Sequence, residues 1–263
     1  MRVLSRLLPA AALLFAVGCG SKAPMPVAGA VDADRFLYER GADLLKRKKW
    51  LESREYFRRL IDTYPRSQFR VDAKLGIGDS YLGEGRADSL VLAANEFREF
   101  LTLAPLSDKA DYAQYKLALS QVRQMLGPQR DQTATREALR ELERFRQAYP
   151  QSKYKKEVDT LYRQARDRLS DHEFQVGYFH FRNRMYGGAL ARFILVMDED
   201  PDYTRKDAVI FYLAETYSRI LKPAEAKALY ESLIKDYPKS KFVKDAIKRL
   251  AVKPPPRAVP VKR

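Results

Sequence analysis

The chemistry a chain can carry is bounded by its reactive side chains, and among 263 residues there are one cysteine, Cys19, and two histidines, His172 and His180. A thiol nucleophile needs an adjacent base, and a structural zinc needs four ligands drawn from Cys, His and carboxylates. One cysteine cannot close an internal disulfide, and with only two histidines it cannot complete a Cys/His zinc site. His172 and His180 stand eight residues apart, about two helical turns, so both can face one side of a helix. No Ser or Cys nucleophile pattern accompanies them, and no glycine-rich phosphate loop is present. They read as packing or surface groups. No catalytic residue, metal site or dissociable cofactor is expected, and an enzyme is the disfavoured class. Formal net charge is +15, which first suggests a nucleic acid or an anionic membrane as partner. The charge is concentrated, however. Arg2 and Arg6 precede an apolar leader, and Lys239 to Arg263 holds nine Lys or Arg against Asp245, which leaves +5 for the body. A protein basic mainly at its tail does not suit a groove that neutralises a row of phosphates.

Cys19 has another use. Arg2 and Arg6 are followed by an apolar run from Leu7 to Val17, interrupted by Pro9, with small residues before the cysteine. This is the shape of a secretory signal over residues 1–18. Eleven residues span about 16 Å, roughly half a bilayer's hydrocarbon core, so a permanent transmembrane helix is not expected. Ala16-Val17-Gly18-Cys19 resembles the bacterial lipobox, which implies cleavage before the cysteine and a covalent lipid on its thiol and new N-terminus. Gly20 in the next position, where Asp would favour inner-membrane retention, points to the outer membrane. Residues 19–31, rich in Gly, Ala and Pro, then form a flexible tether.

Between tether and tail the sequence repeats itself. Tyr64-Pro65-Arg66-Ser67-Gln68-Phe69, Tyr149-Pro150-Gln151-Ser152-Lys153-Tyr154 and Tyr237-Pro238-Lys239-Ser240-Lys241-Phe242 are near copies. Eight residues before each proline stands an aromatic or Leu, and twelve before it a small residue: Phe57 and Ser53, Leu142 and Ala138, Tyr230 and Ala226. Pro105, with Phe97 and Ala93, and Pro201, with Phe193 and Ala189, obey the same rule. Gly41, Gly177 or Ala214 lies a further twelve residues back in the first, fourth and fifth units. The pattern resembles the tetratricopeptide repeat.

Each part of the spacing has a physical task. Small residues let helix A of a pair cross helix B closely, the aromatic fills the remaining space, and proline ends helix B. The serine after it is suited to cap the next helix A. Trp50 and Tyr186 stand just before helix B as packing residues. The spacing predicts an all-α, right-handed superhelix of about five helical hairpins over residues 32–252, in units near 34–67, 71–106, 111–153, 170–203 and 207–240, with a capping helix at 241–252. Gly78 to Ala93 exceeds the standard twelve by three residues and Ala118 to Ala138 by eight; both insertions are expected in the inter-helix loops, where added chain costs little. Residues 253–263, basic and proline-rich, are expected to form a tail without regular structure.

In such a stack the inner surface is lined by helix A, at about the second, fifth, ninth and twelfth positions of each unit. Tyr38, Tyr112, Tyr115, Phe174, Tyr178, Phe181 and Phe211 occupy those positions, as a pool of peptide-binding candidates of which roughly half fill inter-repeat core. A groove of this kind suits an extended peptide with apolar side chains.

The lipobox, the tether, the five units and the enlarged third hairpin together resemble the BamD family of outer-membrane β-barrel assembly lipoproteins. The matching residues are Gly41 with Trp50, the three Tyr-Pro segments, Gln129-Arg130-Asp131-Gln132-Thr133, and Ala165 to Phe193 with Leu169, His172, Glu173 and Gly177-Tyr178-Phe179. The basic C-terminus is longer and the third-unit loop shorter than the family pattern. The resemblance implies a periplasm-facing scaffold on the outer membrane that binds the barrel-assembly subunit and helps recruit unfolded outer-membrane proteins, with no nucleic-acid partner and no cofactor beyond the lipid on Cys19. It also implies docking through the C-terminal repeats, for which Arg184 and Arg192 are the candidates. The alternative is a cell-envelope lipoprotein scaffolding a peptidoglycan or division complex; no heptad segment precedes the repeats, which argues against its coiled-coil versions.

Overall fold

The computed structural model describes residues 32–251, so Cys19, the signal, the tether and the tail lie outside the described residues. Those residues form eleven α-helices and no strand: α1 Ala33–Lys46, α2 Trp50–Thr63, α3 Arg70–Glu84, α4 Ala87–Leu103, α5 Ala110–Val122, α6 Thr133–Ala148, α7 Lys155–Arg182, α8 Tyr186–Glu199, α9 Lys206–Arg219, α10 Pro223–Asp236 and α11 Val243–Ala251. The odd-numbered helices up to α9 each pair with the next as a hairpin, and α11 packs on α10. The result is an all-helical repeat stack.

Close approach within each pair rests on the expected small residues. Phe57 is fully buried between α1 and α3, and a Cβ on Gly41 would stand 2.7 Å from its ring, one on Gly76 only 2.4 Å. Phe193 fits Gly177 in the same way, at 2.8 Å. Ala93, Ala138, Ala189 and Ala214 have no exposed surface.

The serine of each Tyr-Pro segment acts differently from a helix cap. Ser67, Ser152 and Ser240 accept a hydrogen bond from the backbone N–H two residues on, and each donates at 2.6 Å to a helix A carboxylate, Asp34, Asp111 and Asp207 respectively. The hydroxyl thus closes a local turn and ties the end of one unit to its own beginning.

Two expectations about the insertions separate. The eight extra residues of the third unit do lie between helices, in the ten-residue connection from Arg123 to Gln132. The three of the second unit do not: α3 and α4 are joined by Gly85 and Arg86 alone, and α4 runs 17 residues. Gly78 still faces the Phe97 ring, where a Cβ would stand 2.8 Å away, so the added turn extends the helices beyond a preserved crossing point.

The spacing also leaves residues 154–169 unassigned, and here the structure has a single 28-residue helix, about 42 Å long. The first half of α7 packs Val158 and Ala165 into the core of the third unit, and its second half packs Phe174 into that of the fourth. Between them the helix is joined to the α8–α9 turn by polar groups. Asp200, 4% exposed, accepts from Arg163 and from Ser170, Tyr203 donates to Asp171, and Thr204 donates to Asp167 at 2.6 Å.

Candidate functional site

Helices α1, α3, α5, α7 and α9 are the A helices, and depressions along them are lined by candidate rings. The N-terminal one, about 350 Å³, lies among Tyr38 on α1, Asp72 and Asp79 on α3, Lys109 and Tyr112 on α5 or its approach, and Tyr154. Tyr38 stacks on Phe69 with centroids 5.1 Å apart, and Tyr115 stacks on Tyr154 at 4.9 Å. Tyr112 donates to Asp79 at 2.7 Å, with the Lys116 ammonium 3.5 Å from the same carboxylate. Burial pushes the Asp79 carboxyl above its ordinary value despite Lys116 and Tyr112, which both favour the charged form. The same burial, with the Asp79 charge, drives the Tyr112 hydroxyl well above the usual phenol range and keeps it a donor. Lys109 pairs with Asp72 at 2.7 Å. Tyr38, Tyr112 and Tyr115 are half-buried; Tyr38 and Tyr112 offer ring surface to the depression, while Tyr115 stands beside it against Tyr154.

The C-terminal depression, about 830 Å³, is lined by Phe174, Tyr178, Phe179 and Arg182 on α7, Tyr212 on α9, and Phe242. Tyr212 is its hub, with ring centroids 4.9 Å from Tyr178, 5.6 Å from Phe181 and 5.7 Å from Phe242. Burial and the neighbouring Tyr178 push its hydroxyl up to about 12. Phe174 and Phe211 are 5% and 7% exposed, so they are core rings that show only an edge, whereas Tyr178 and Phe181 are half-buried; Phe181 and Phe211 face a neighbouring depression toward α11 and not this one. The candidate rings therefore do not form one stripe. Tyr38, Tyr112 and Tyr115 gather in the first three units, and Phe174, Tyr178, Phe181 and Phe211 in the last two.

Position counting passes over four further aromatics. Tyr154 and Phe242 are the final residues of Tyr-Pro segments, and that repeated aromatic is the signal that identifies them. Tyr212 is hidden beside Phe211. Phe179, 61% exposed, stands outside any core periodicity.

The docking candidates are separated as well. Arg192 on α8 pairs with Glu173 on α7 at 2.6 Å, so it already has an internal carboxylate. Arg184 lies in the α7–α8 turn, exposed and in the left-handed region at φ 60°, with no ion pair among the described residues. His172 holds the third-unit connection: its Nδ1 is 2.7 Å from the Pro128 carbonyl oxygen, and Arg168 donates to the Leu126 carbonyl at 2.7 Å. His180 packs on Gly188, and its Nδ1 is buried without a hydrogen-bond partner. Among the described residues no group of three or more His, Cys, Asp or Glu is placed to hold a metal ion, and no helix is long and apolar enough to cross a membrane.

Stacked hairpins whose helix A face carries aromatic rings define a tetratricopeptide-type repeat fold. Residues 31–231 match the family described as YfiO, outer membrane lipoprotein, and the chain belongs to this family. Among its relatives, the outer membrane protein assembly factor BamD of Caulobacter vibrioides is 29% identical over 237 residues, 89% of this chain and 76% of that protein. BamD of Rickettsia prowazekii is 26% identical over 246 residues, 91% of this chain and 94% of that protein. Among solved structures, MamA aligns at 16% identity over 81% of this chain and 96% of its own, with a TM-score of 0.34. A tetratricopeptide repeat protein from Parabacteroides merdae aligns at 10% identity over 82% of this chain and 98% of its own, with a TM-score of 0.24.

Proposed function

We propose that the chain is a lipid-anchored assembly factor for outer-membrane proteins, held on the outer membrane through Cys19 and facing the periplasm. Its relatives are named as outer membrane protein assembly factors, and the family match runs from residue 31 to 231, from α1 into α10. In this reading the N-terminal depression receives an extended segment of an unfolded outer-membrane protein. The observation that carries it is the combination, in one depression, of half-buried ring surface at Tyr38 and Tyr112 with the Tyr112–Asp79 and Lys109–Asp72 pairs. Apolar side chains of an extended client lie on the rings, and its free backbone N–H and C=O groups find acceptors and donors beside them. The C-terminal repeats hold the barrel-assembly subunit, with Arg192 at the contact. Glu173 keeps that guanidinium extended in one geometry before a partner carboxylate arrives, which lowers the ordering cost of docking.

Affinity purification of the tagged full-length chain from detergent-solubilised membranes tests the reading. The barrel-assembly subunit is expected to co-purify, and Arg192→Glu is expected to lose it while the N-terminal change Tyr112→Ala is not. Recovery of peptidoglycan-binding or division proteins in its place would replace the reading.

A further inference from the structure

The helix A to helix B turns of the last two units carry a surface away from the Arg192–Glu173 pair, and it includes Arg184, the other docking candidate. Arg182 and Arg184 at the α7–α8 turn and Arg219 at the end of α9 are exposed and make no ion pair among the described residues. The acids around them are already engaged: Glu215 with Arg249 at 2.6 Å, Asp245 with Lys248 at 3.5 Å, and Glu225 with Lys222 at 4.0 Å. Arg182, Arg219 and Lys248 line one depression, which places the C-terminal ends of α7, α9 and α11 on one rim. Apolar side chains are interleaved with the cations: Leu221 is 86% exposed and Met185 44%.

The two turn tips are also conformationally costly. Arg184 and Leu221 hold φ of 60° and 61°, a region that glycine enters freely and other residues do not, so these turns retain long side chains where a glycine would close them more easily. Lys48 in the α1–α2 turn and Gly85 in the α3–α4 turn share this geometry at φ 58° and 71°, so the left-handed residue belongs to the hairpin turn itself, and what distinguishes the last two units is the side chain each presents there. Ala251 ends α11 at this same rim, and from there the sequence continues with Lys253, Arg257, Lys262 and Arg263 and no acid.

We propose that this rim is a membrane-contact surface for anionic lipid headgroups, with Leu221 and Met185 entering the headgroup boundary between the arginines. Unpaired guanidinium groups supply headgroup attraction, and exposed apolar tips between them are what a lipid interface accepts and water does not. An acidic protein face would match the arginines but leaves Leu221 without a purpose. The inference rests on the reading that the chain resides on a membrane. An anchor on Cys19 holds the N-terminal end of the stack, and the rim, at the other end, fixes the orientation of the whole stack along the bilayer.

The test uses the full-length acylated chain in vesicles, with Leu221→Cys carrying an environment-sensitive fluorophore. Leu106→Cys, on a helix B to helix A turn and 99% exposed, is the control. Brominated lipid is expected to quench the probe at 221 in vesicles containing phosphatidylglycerol and not in pure phosphatidylcholine, and to leave the probe at 106 unquenched in both. Three arginines at about fivefold each predict that Arg182→Glu, Arg184→Glu and Arg219→Glu together lower the rim's partitioning to anionic vesicles by on the order of a hundredfold. Circular dichroism of the triple variant checks that the exposed changes leave the helices intact. Equal quenching at 221 and 106, or quenching unchanged by the triple reversal, overturns the proposal. Loss of the barrel-assembly subunit with lipid quenching unchanged would make the rim a protein-docking edge. Failure of the chain to float with neutral vesicles sinks the anchor reading alone, because salt-sensitive flotation with anionic vesicles still reports the rim.

Discussion

Ser170 donates a 2.5 Å hydrogen bond to Asp200, and the pair is the reverse of the bond from Ser67 to Asp34. In the first, third and fifth units the carboxylate stands on helix A and the hydroxyl follows the proline. In the fourth, the hydroxyl stands on helix A and the carboxylate precedes Pro201. The exchange lets Asp200 collect a second donor, Arg163, from the preceding turns of α7. The polar middle of the long helix is therefore locked to the α8–α9 turn at the point where the repeat phase changes.

This lock predicts an acid-sensitive joint. Burial pushes the Asp200 carboxyl up, but the hydrogen bonds from Arg163 and Ser170 and the guanidinium charge outweigh it, so the group sits below the ordinary carboxylate range. A depressed folded value means the stabilisation is present above the unfolded value, about 4, and is lost as pH falls through the folded one. Asp200→Asn should cost about 1–3 kcal/mol at neutral pH. Thermal melts from pH 7 to pH 3 should show the gap between variant and parent closing below about pH 4; a gap independent of pH would rule out the charged pair as its source.

Close helix crossing gives a prediction with an internal control. Gly177→Ala places a Cβ 2.8 Å from the Phe193 ring, which has no exposed surface to retreat into, and should destabilise by about 1–3 kcal/mol. Gly187→Ala, on α8, meets nothing within 4 Å and should be stabilising by up to about 1 kcal/mol. Melting temperatures moving in the same direction for both would show that Gly177 is not held by packing.

The contrast between these glycines explains what sequence spacing discloses. Phe57, Phe97 and Phe193 are found by counting from prolines because a buried ring and its opposing small residue are locked in register by volume. The turn of helix added to the second unit escapes, because a helix extended past its crossing point and a longer loop give the same count from Gly78 to Ala93. The continuity of α7 escapes for a different reason: the count restarts at each unit, while the telling feature, absence of Gly and Pro from Gln151 to Val176, spans two. The split of the candidate rings between depressions was not legible either. Whether Phe174 or Phe179 meets solvent depends on where α9 lies, which no local pattern records.

Docking through Arg192 can be separated from its structural pair by a charge swap. Arg192→Glu alone sets two carboxylates at the α7–α8 contact, where a single pair stood at 2.6 Å, and should both loosen the hairpin and lose the barrel-assembly subunit. Adding Glu173→Arg restores an internal pair with inverted polarity. Stability should recover to within about 0.5–1 kcal/mol, since a part-exposed pair is worth no more than that. Binding should stay lost, because the outward charge at position 192 remains reversed. Pull-down in which the double variant binds as well as the parent would assign Arg192 to the hairpin and remove it from the contact.

The final prediction concerns Cys19, which lies outside the described residues and on which the anchoring proposal depends. Cys19→Ala should abolish incorporation of labelled palmitate, since no other cysteine exists in the chain. The folded domain should be unaffected, because residues 32–251 carry their own buried core. The leader's apolar run spans about half a bilayer, and no described helix can cross one, so at high salt the variant should leave the outer-membrane fraction. Salt matters to the design. Headgroup attraction at the C-terminal rim and tail is screened within about 3 Å at 1 M, whereas two or more acyl chains hold regardless of ionic strength. Fractionation should therefore be run at low and at high salt in cells depleted of the barrel-assembly subunit. Retention of the variant under the high-salt condition would show that the membrane attachment does not pass through Cys19.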